Sequence, residues 1–340
     1  MKKILMIATG GTIAATRTNA GLSPLLSSEE ILEYVPDVRA VCKVETMQLY
    51  NIDSTDIHPE HWLGMVRTIR DNYGDYDGFV ICHGTDTMAY TAAALSYLVQ
   101  DSTKPIVLTG SQKPIDMEIT DAKTNLLDSF IYAASDNATG VVIVFNGKVI
   151  LGTRARKVRT KSFDAFESIN FPVLARIRDG QLFEYIYFPK KETLFCDRIS
   201  TRVGLIKLVP GLDAEVISFY FNRYDAIILE SYGVGGIPSG EYYKLHSEIK
   251  KWTDKNKILI MTTQVPNEGS NMEVYKVGYG SKKEYNMLES YDMTLESCYA
   301  KMAWILGRTN DPAEIHKLFY KTVSKDILYG ELRREEKEHD

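Results

Sequence analysis

Short apolar runs rich in β-branched residues alternate along this chain with stretches of helical periodicity, and no other feature limits the fold as tightly. Lys3–Ala8, Val41–Leu49, Gly78–Cys82, Pro105–Leu108 and Gly140–Phe145 read as strands. Between them lie helices. One is capped by Ser27 or Ser28 and runs to Val35, with Glu29 and Glu30 suited to its first turn. Another opens at Pro59 and sets Trp62, Met65, Val66 and Ile69 at helical spacing. Two more cover Thr87–Val99 and Asp121–Ala134. This order predicts a mostly parallel sheet with helices on both faces. The pattern weakens between Arg176 and Arg202, which reads as an inter-domain connection. It resumes with strands at Val203–Leu208, Ala226–Leu229 and Ile258–Met261, and helices at Ala214–Phe219, Tyr242–Thr253, Thr294–Leu306 and Pro312–Lys321. The expectation is an α/β fold of two domains, each a mostly parallel sheet flanked by helices: residues 1–188, a linker at 189–203, and residues 204–340.

Composition narrows the function classes. Hydrophobic residues make up 44% of the chain, enough to offset the entropy of ordering the backbone, so disorder is excluded. A net charge of −5 gives no positive field for nucleic acid. No apolar run approaches the roughly 18–20 residues that cross a bilayer. Lys2 and Lys3 precede an apolar stretch of only five residues before Thr9-Gly10-Gly11, shorter than a secretory core. Four cysteines (Cys42, Cys82, Cys196, Cys298) form no CxxC pair and suit a reducing compartment, so a cytoplasmic location is expected. His58 and His61 flank a helix start without a third ligand nearby, and read as capping or surface residues rather than a metal pair.

In open parallel sheets, ligands bind beyond the carboxyl ends of the strands. The first strand delivers Thr9-Gly10-Gly11-Thr12-Ile13-Ala14, two glycines for a sharp turn and then a hydroxyl. The strand at Gly78–Cys82 delivers His83-Gly84-Thr85-Asp86-Thr87-Met88, a glycine, a hydroxyl and an acid at a helix start. Taken singly, Thr12, Thr85 and Asp86 are explained as turn and cap residues. A phosphate-cradling loop is a poor match, because neither GxGxxG nor GxxxxGK[ST] is present. As complete strings the two segments are far more specific.

The two strings resemble the paired signatures of the bacterial-type L-asparaginases. The likeness runs the length of the chain, through Asn51–Asp56, Leu108–Gln112, Phe163–Phe166, Ser231–Gly235 and Asp292–Thr294. Tyr76–Val80, Thr87–Thr91 and Phe163–Phe166 are most similar to the cytoplasmic type I branch. The resemblance implies a larger flavodoxin-like N-terminal domain, a smaller Rossmann-like C-terminal domain, and a homodimer or homotetramer. It implies an amidohydrolase that turns L-asparagine into L-aspartate and ammonia without cofactor or metal. The residues suit that chemistry: an amide is a poor electrophile, and a hydroxyl nucleophile splits its hydrolysis into two easier steps.

Carried onto this sequence, the resemblance makes Thr12 the nucleophile and groups Thr85 with Asp86 and Lys157. Lys157 lies in Gly152–Lys157, within a basic run that is otherwise read as a solvated face. Ser54 and Thr55 are expected to hold the substrate carboxylate, and Asp86 and Asp53 its ammonium. Backbone amides around Gly11–Thr12 and Gly84–Thr85 are expected to face the oxyanion. Ser111 is expected to hold the leaving amide nitrogen through its carbonyl.

The chain departs from the family in two places. Leu22 aligns where many members carry a mobile tyrosine, and Tyr275 matches a tyrosine that some type I relatives supply from the second domain. Arg156, Glu230 and Val265 do not reproduce the threonine, arginine and cysteine of an activating asparagine site, so no homotropic activation is expected. Three alternatives stand beside the asparaginase: a glutaminase or mixed amidase, since one methylene changes binding by only about 1–3 kcal/mol; the amidotransferase component acting on tRNA-bound substrate, which shares both signatures and usually has an extra domain before the first one; and a non-catalytic amino-acid-binding module on the same fold.

Overall fold

The computed structural model describes residues 1–18, 21–24, 26–238, 244–253, 255, 257–274, 282 and 284–328. The chain divides into two units, Met1–Asp197 and Arg198–Asp340. In the first, the strands are β1 (Lys3–Gly10), β2 (Ala15–Thr18), β3 (Gly21–Pro24), β4 (Lys43–Ile52), β5 (Gly78–Cys82), β6 (Val99–Gln100), β7 (Pro105–Thr109), β8 (Gly140–Phe145), β9 (Lys148–Leu151), β10 (Ala155–Lys157), β11 (Phe166–Ser168), β12 (Ala175–Arg178), β13 (Gln181–Glu184) and β14 (Leu194–Phe195). The helices are α1 (Ser28–Glu33), α2 (Val38–Val41), α3 (Pro59–Asp71), α4 (Met88–Leu98) and α5 (Ala122–Ala133).

An eight-stranded sheet runs in the order β13-β12-β9-β8-β7-β5-β1-β4. β4, β1, β5, β7 and β8 are parallel neighbours. β5 and β7 are buried along their whole length, which is why they are unbroken apolar runs rather than alternating ones. One face packs Met6, Val80, Val107 and Val142 against Leu126 and Phe130 of α5. α3 buries Trp62, Met65, Val66 and Ile69, the face its spacing predicts. Ser27 and Glu30 form a capping box on α1, and His58 and His61 cap α3 reciprocally. The expected strand at Val41–Leu49 lies two residues later, at Lys43–Ile52, because Val38–Val41 forms a helical turn.

The segment from Arg176 differs from the plain connection expected of it. β12 and β13 extend the sheet as an antiparallel hairpin, with Arg178 opposite Gln181. The turn between them is Asp179–Gly180, with φ of 51° and 70°. Asn146–Gly147 joins β8 to β9 in the same way, with φ of 49° and 67°. Two positive φ angles in a two-residue turn match the right-handed twist of the flanking strands.

In the second unit β15 (Val203–Lys207), β16 (Ala226–Ser231), β17 (Ile258–Thr263) and β18 (Leu288–Glu289) pair in parallel, in that order. Its helices are α6 (Glu215–Phe221), α7 (Leu245–Thr253), α8 (Leu295–Leu306) and α9 (Pro312–Tyr320). Ile217 and Phe221 of α6 and Ile249 and Trp252 of α7 pack on Ile227, Leu229 and Leu259. Lys301 of α8 pairs with Asp326 at 2.7 Å with both side chains fully buried. Each unit is thus an α/β sandwich, and the first is the larger.

Candidate active site

Parallel strands that lie side by side bring their carboxyl ends to one edge, and β4, β1, β5 and β7 do so here. Gly11, just past β1, has φ of +80°, a conformation L side chains rarely adopt. Its N–H donates to the Ile52 carbonyl at the end of β4 at 3.1 Å. A Cβ on Gly11 would stand 2.4 Å from both Cα and N of Gly84, in the loop after β5. A Cβ on Gly84 would stand 2.5 Å from Ser54 Oγ, in the loop after β4. The Thr87 hydroxyl ties the same loops by donating to the Ser54 carbonyl at 2.7 Å. Glycine at both positions lets the two main chains touch, and Thr12 and Thr85 are the residues immediately beyond that contact.

The cation comes from outside the parallel strands. β10 and β11 form a hairpin in which Lys157 opposes Phe166. Asp164, between the two strands, pairs with Lys148 of β9 at 2.5 Å and accepts from Asn146 at 3.1 Å. The Lys148 ammonium, with help from Asn146 and Arg159, holds the Asp164 carboxyl below its ordinary range. The hairpin is therefore fastened to the sheet. At its end Lys157 Nζ donates to Thr85 Oγ1 at 2.8 Å and to Asp86 Oδ1 at 2.7 Å. The Lys157 side chain is 15% exposed and that of Asp86 60%. So wet a pair contributes less than about 1 kcal/mol to stability. Its consequence is positional.

Behind the loops lies a buried chain of hydrogen bonds. Trp62 Nε1 donates to Thr91 Oγ1 at 2.9 Å, Thr91 Oγ1 is 3.0 Å from His83 Nε2, and His83 Nδ1 is 2.7 Å from the Gly84 carbonyl oxygen. The indole can only donate and the carbonyl can only accept, so the His83 proton sits on Nδ1. Burial pushes the imidazole down to about 4, which keeps the ring neutral. His83 thus serves as a fixed donor to the second loop. Cys82 is fully buried, and burial pushes its thiol up to about 12, as befits a core residue.

Among the described residues, no group of three or more His, Cys, Asp or Glu side chains could hold a metal ion. The chain matches two family models, the asparaginase N-terminal domain over residues 3–187 and the glutaminase/asparaginase C-terminal domain over residues 202–319. The chain belongs to the asparaginase family. It is accordingly an enzyme of hydrolase type. The L-asparaginase of Thermococcus kodakarensis is 37% identical, with 96% of this chain and 99% of that one covered. L-asparaginase 1 of Escherichia coli is 32% identical over 96% and 98% of the two chains. A glutamyl-tRNA(Gln) amidotransferase component of Pyrococcus furiosus is 34% identical over 95% of this chain and 76% of its own. Among solved structures, the thermostable T. kodakarensis L-asparaginase superposes with a TM-score of 0.91 at 36% identity, covering 96% of this chain and 99% of that one. L-asparaginase I of Vibrio cholerae gives 0.85 at 28% identity, covering 96% and 99%.

The other asparaginase-type residues expected from the sequence fall as follows. Asp53 caps the short turn at Ser54–Asp56: its Oδ1 accepts from the Thr55 N–H and the Thr55 hydroxyl, each at 2.8 Å. The Thr55 proton is therefore engaged with Asp53. Ser54 is buried at the Gly84 contact. Ser111 is buried, and its hydroxyl donates to the Lys113 carbonyl at 2.5 Å, leaving its own carbonyl for other partners. Leu22 lies on β3 opposite Arg17 of β2, and its side chain lies outside the described atoms. Tyr275 lies outside the described residues.

Two residues carry more of the site than their sequence context suggests. Asp121 accepts from the backbone N–H of Gln112 at 2.9 and 3.1 Å and of Lys113 at 3.2 Å, and so shapes the loop after β7. Gln112 reaches from that loop to Thr85 Oγ1 at 3.3 Å. An acid at a helix start and a glutamine in a polar turn have ordinary local explanations, and only the fold reveals these contacts.

Proposed function

We propose that this enzyme is an L-asparagine amidohydrolase of the cytoplasmic type, acting through an ester on Thr12. The contact that supports this most directly is that of Lys157 Nζ with Thr85 Oγ1 and Asp86 Oδ1, beside the Gly11–Gly84 junction. Two hydroxyls, an acid and an amine at one sheet edge suit a small zwitterion carrying a side-chain amide. In the first half-reaction the Thr12 oxygen bonds to the amide carbon, the C–N bond breaks, and the Thr12 proton leaves on the nitrogen as ammonia departs. In the second, water adds to the ester carbon, aspartate leaves and Thr12 recovers its proton. The backbone N–H groups of the two glycine-flanked loops are the donors for the oxyanion of both steps. The Lys157 ammonium favours negative charge on the Thr85 side of the site, and Asp86 is the counter-ion for the substrate ammonium. Tyr275 is the residue we assign to assist Thr12 where Leu22 replaces the usual loop tyrosine.

A coupled ammonia assay with L-asparagine, L-glutamine and their D-forms tests this. L-Asparagine is expected to react fastest, and Thr12→Ala to abolish turnover while asparagine still binds. A faster reaction with L-glutamine makes the enzyme a glutaminase. Absence of ammonia from every substrate makes it a binding module. Unchanged turnover in Tyr275→Phe removes the tyrosine from the mechanism. Sedimentation of the active protein tests the homodimer or homotetramer we propose.

A further inference from the structure

We propose that Gln112 is a positioning residue that fixes the direction of the Thr85 hydroxyl. This rests on the assignment of Thr85 to the reaction. The side-chain amide of Gln112 has only one allowed orientation. Its Nε2 lies 3.3 Å from the Arg159 carbonyl and 3.1 Å from the Ser162 carbonyl, both in the loop between β10 and β11. Carbonyl oxygens only accept, so both amide hydrogens point at them and Oε1 points at Thr85. Thr85 Oγ1, 3.3 Å away, must then be the donor.

A hydroxyl has one proton and two lone pairs. In Thr85 the proton goes to Gln112 and one lone pair takes the Lys157 ammonium. The remaining function is a single lone pair. Gln112 thus keeps the Thr85 proton out of the reaction space, and the side that Thr85 presents there is an acceptor, placed to take a hydrogen bond from water or from the nucleophile and so to orient it. Without Gln112 the O–H can turn inward and become a donor.

The clamp is built to hold. The Gln112 backbone is anchored on Asp121, whose carboxylate also takes Asn125 Nδ2 at 3.1 Å. Asn125 Nδ2 in turn holds the Gly110 carbonyl at 3.0 Å. On the far side, Gln112 grips the loop whose flanking strand carries Lys157. One carboxamide therefore joins the Thr85 loop to the lysine hairpin. The charged groups around it are Lys157 and Asp86 across Thr85, Asp121 behind its own backbone, and Lys113 and Arg159 on the adjoining segments.

Two variants test the assignment by asparagine turnover. Gln112→Met keeps the length of the side chain and removes the amide. It is expected to lower kcat by about tenfold or more and to leave KM within about threefold. Gln112→Glu adds a pH signature. As a neutral acid it offers Thr85 an acceptor and one carbonyl a donor, like the amide; as a carboxylate it turns a charge on two carbonyl oxygens. Its activity relative to wild type is therefore expected to rise as pH is lowered from about 8 to about 5, with no such rise in Gln112→Met. The within-protein pH comparison stands even if one variant is less stable. Wild-type kcat in Gln112→Met, a rise in KM alone, or equal losses in both variants at every pH overturns the proposal. No ammonia from the unmodified enzyme overturns the assigned function instead.

Discussion

The ammonium of Lys157 donates to the hydroxyl of Thr85 across 2.8 Å of space and 72 residues of sequence. The companion bond to Asp86 is largely solvated, so the pair adds little to folding. Lys157→Met is expected to reduce kcat by about 10²–10³-fold while thermal stability changes by only a few tenths of a kcal/mol. Steady-state rates beside a thermal melt separate the two effects; a large fall in melting temperature with kcat preserved would reverse the assignment.

Gly84 leaves no space for a methyl group. Alanine there would press its Cβ to 2.5 Å from Ser54 Oγ, and the main chain of Gly11 lies next to it. We expect Gly84→Ala to lower turnover at least tenfold, about 1.4 kcal/mol in the barrier. Adding Ser54→Gly removes the nearest obstacle and should restore part of the stability, a non-additive effect that a double-mutant cycle measures. Strict additivity would mean that the two loops do not press on one another.

By the family likeness, Glu230 aligns with the cation of an activating asparagine site. Its side chain is 6% exposed and pairs with Lys207 at 3.2 Å. A carboxylate held in that way repels a second amino-acid carboxylate. Initial rates should therefore follow a hyperbola in asparagine concentration, and a sigmoidal curve would contradict this.

Asp128 of α5 is buried, and desolvation pushes its carboxyl up to about 6. Its unfolded value is near 3.9, so the folded state holds the extra proton between roughly pH 4 and 6 and gains stability as pH falls through that window. Asp128→Asn removes the cost of the buried charge. It should stabilise the protein by about 1–2 kcal/mol near neutral pH and by almost nothing near pH 4. Urea unfolding at the two pH values reads the difference directly; a gain of equal size at both would point to packing.

Much of this was legible in the chain itself. The two threonine loops could be located because parallel strands end at one edge and glycine-hydroxyl strings follow two of them. Lys157 was legible only through the family likeness, since it arrives on an antiparallel hairpin whose placement depends on Asp164 and Lys148. Gln112 stood inside a family-like string but nothing there signalled its role, because its partners, the Arg159 and Ser162 carbonyls, become neighbours only once that hairpin closes. Asn146–Gly147 and Asp179–Gly180 did signal their hairpins, but the stronger helix–strand rhythm masked them, and the antiparallel extension of the sheet went unread.

The order in which these parts appear matters for synthesis on the ribosome. A nascent chain that has emerged through Asp86 already carries both threonines and the acid, yet it lacks Lys157. Translation must proceed past Ser168 before β11 can fasten the hairpin. On the proposed mechanism, a chain that stops short of Ser168 lacks the paired hairpin that carries Lys157 to Thr85.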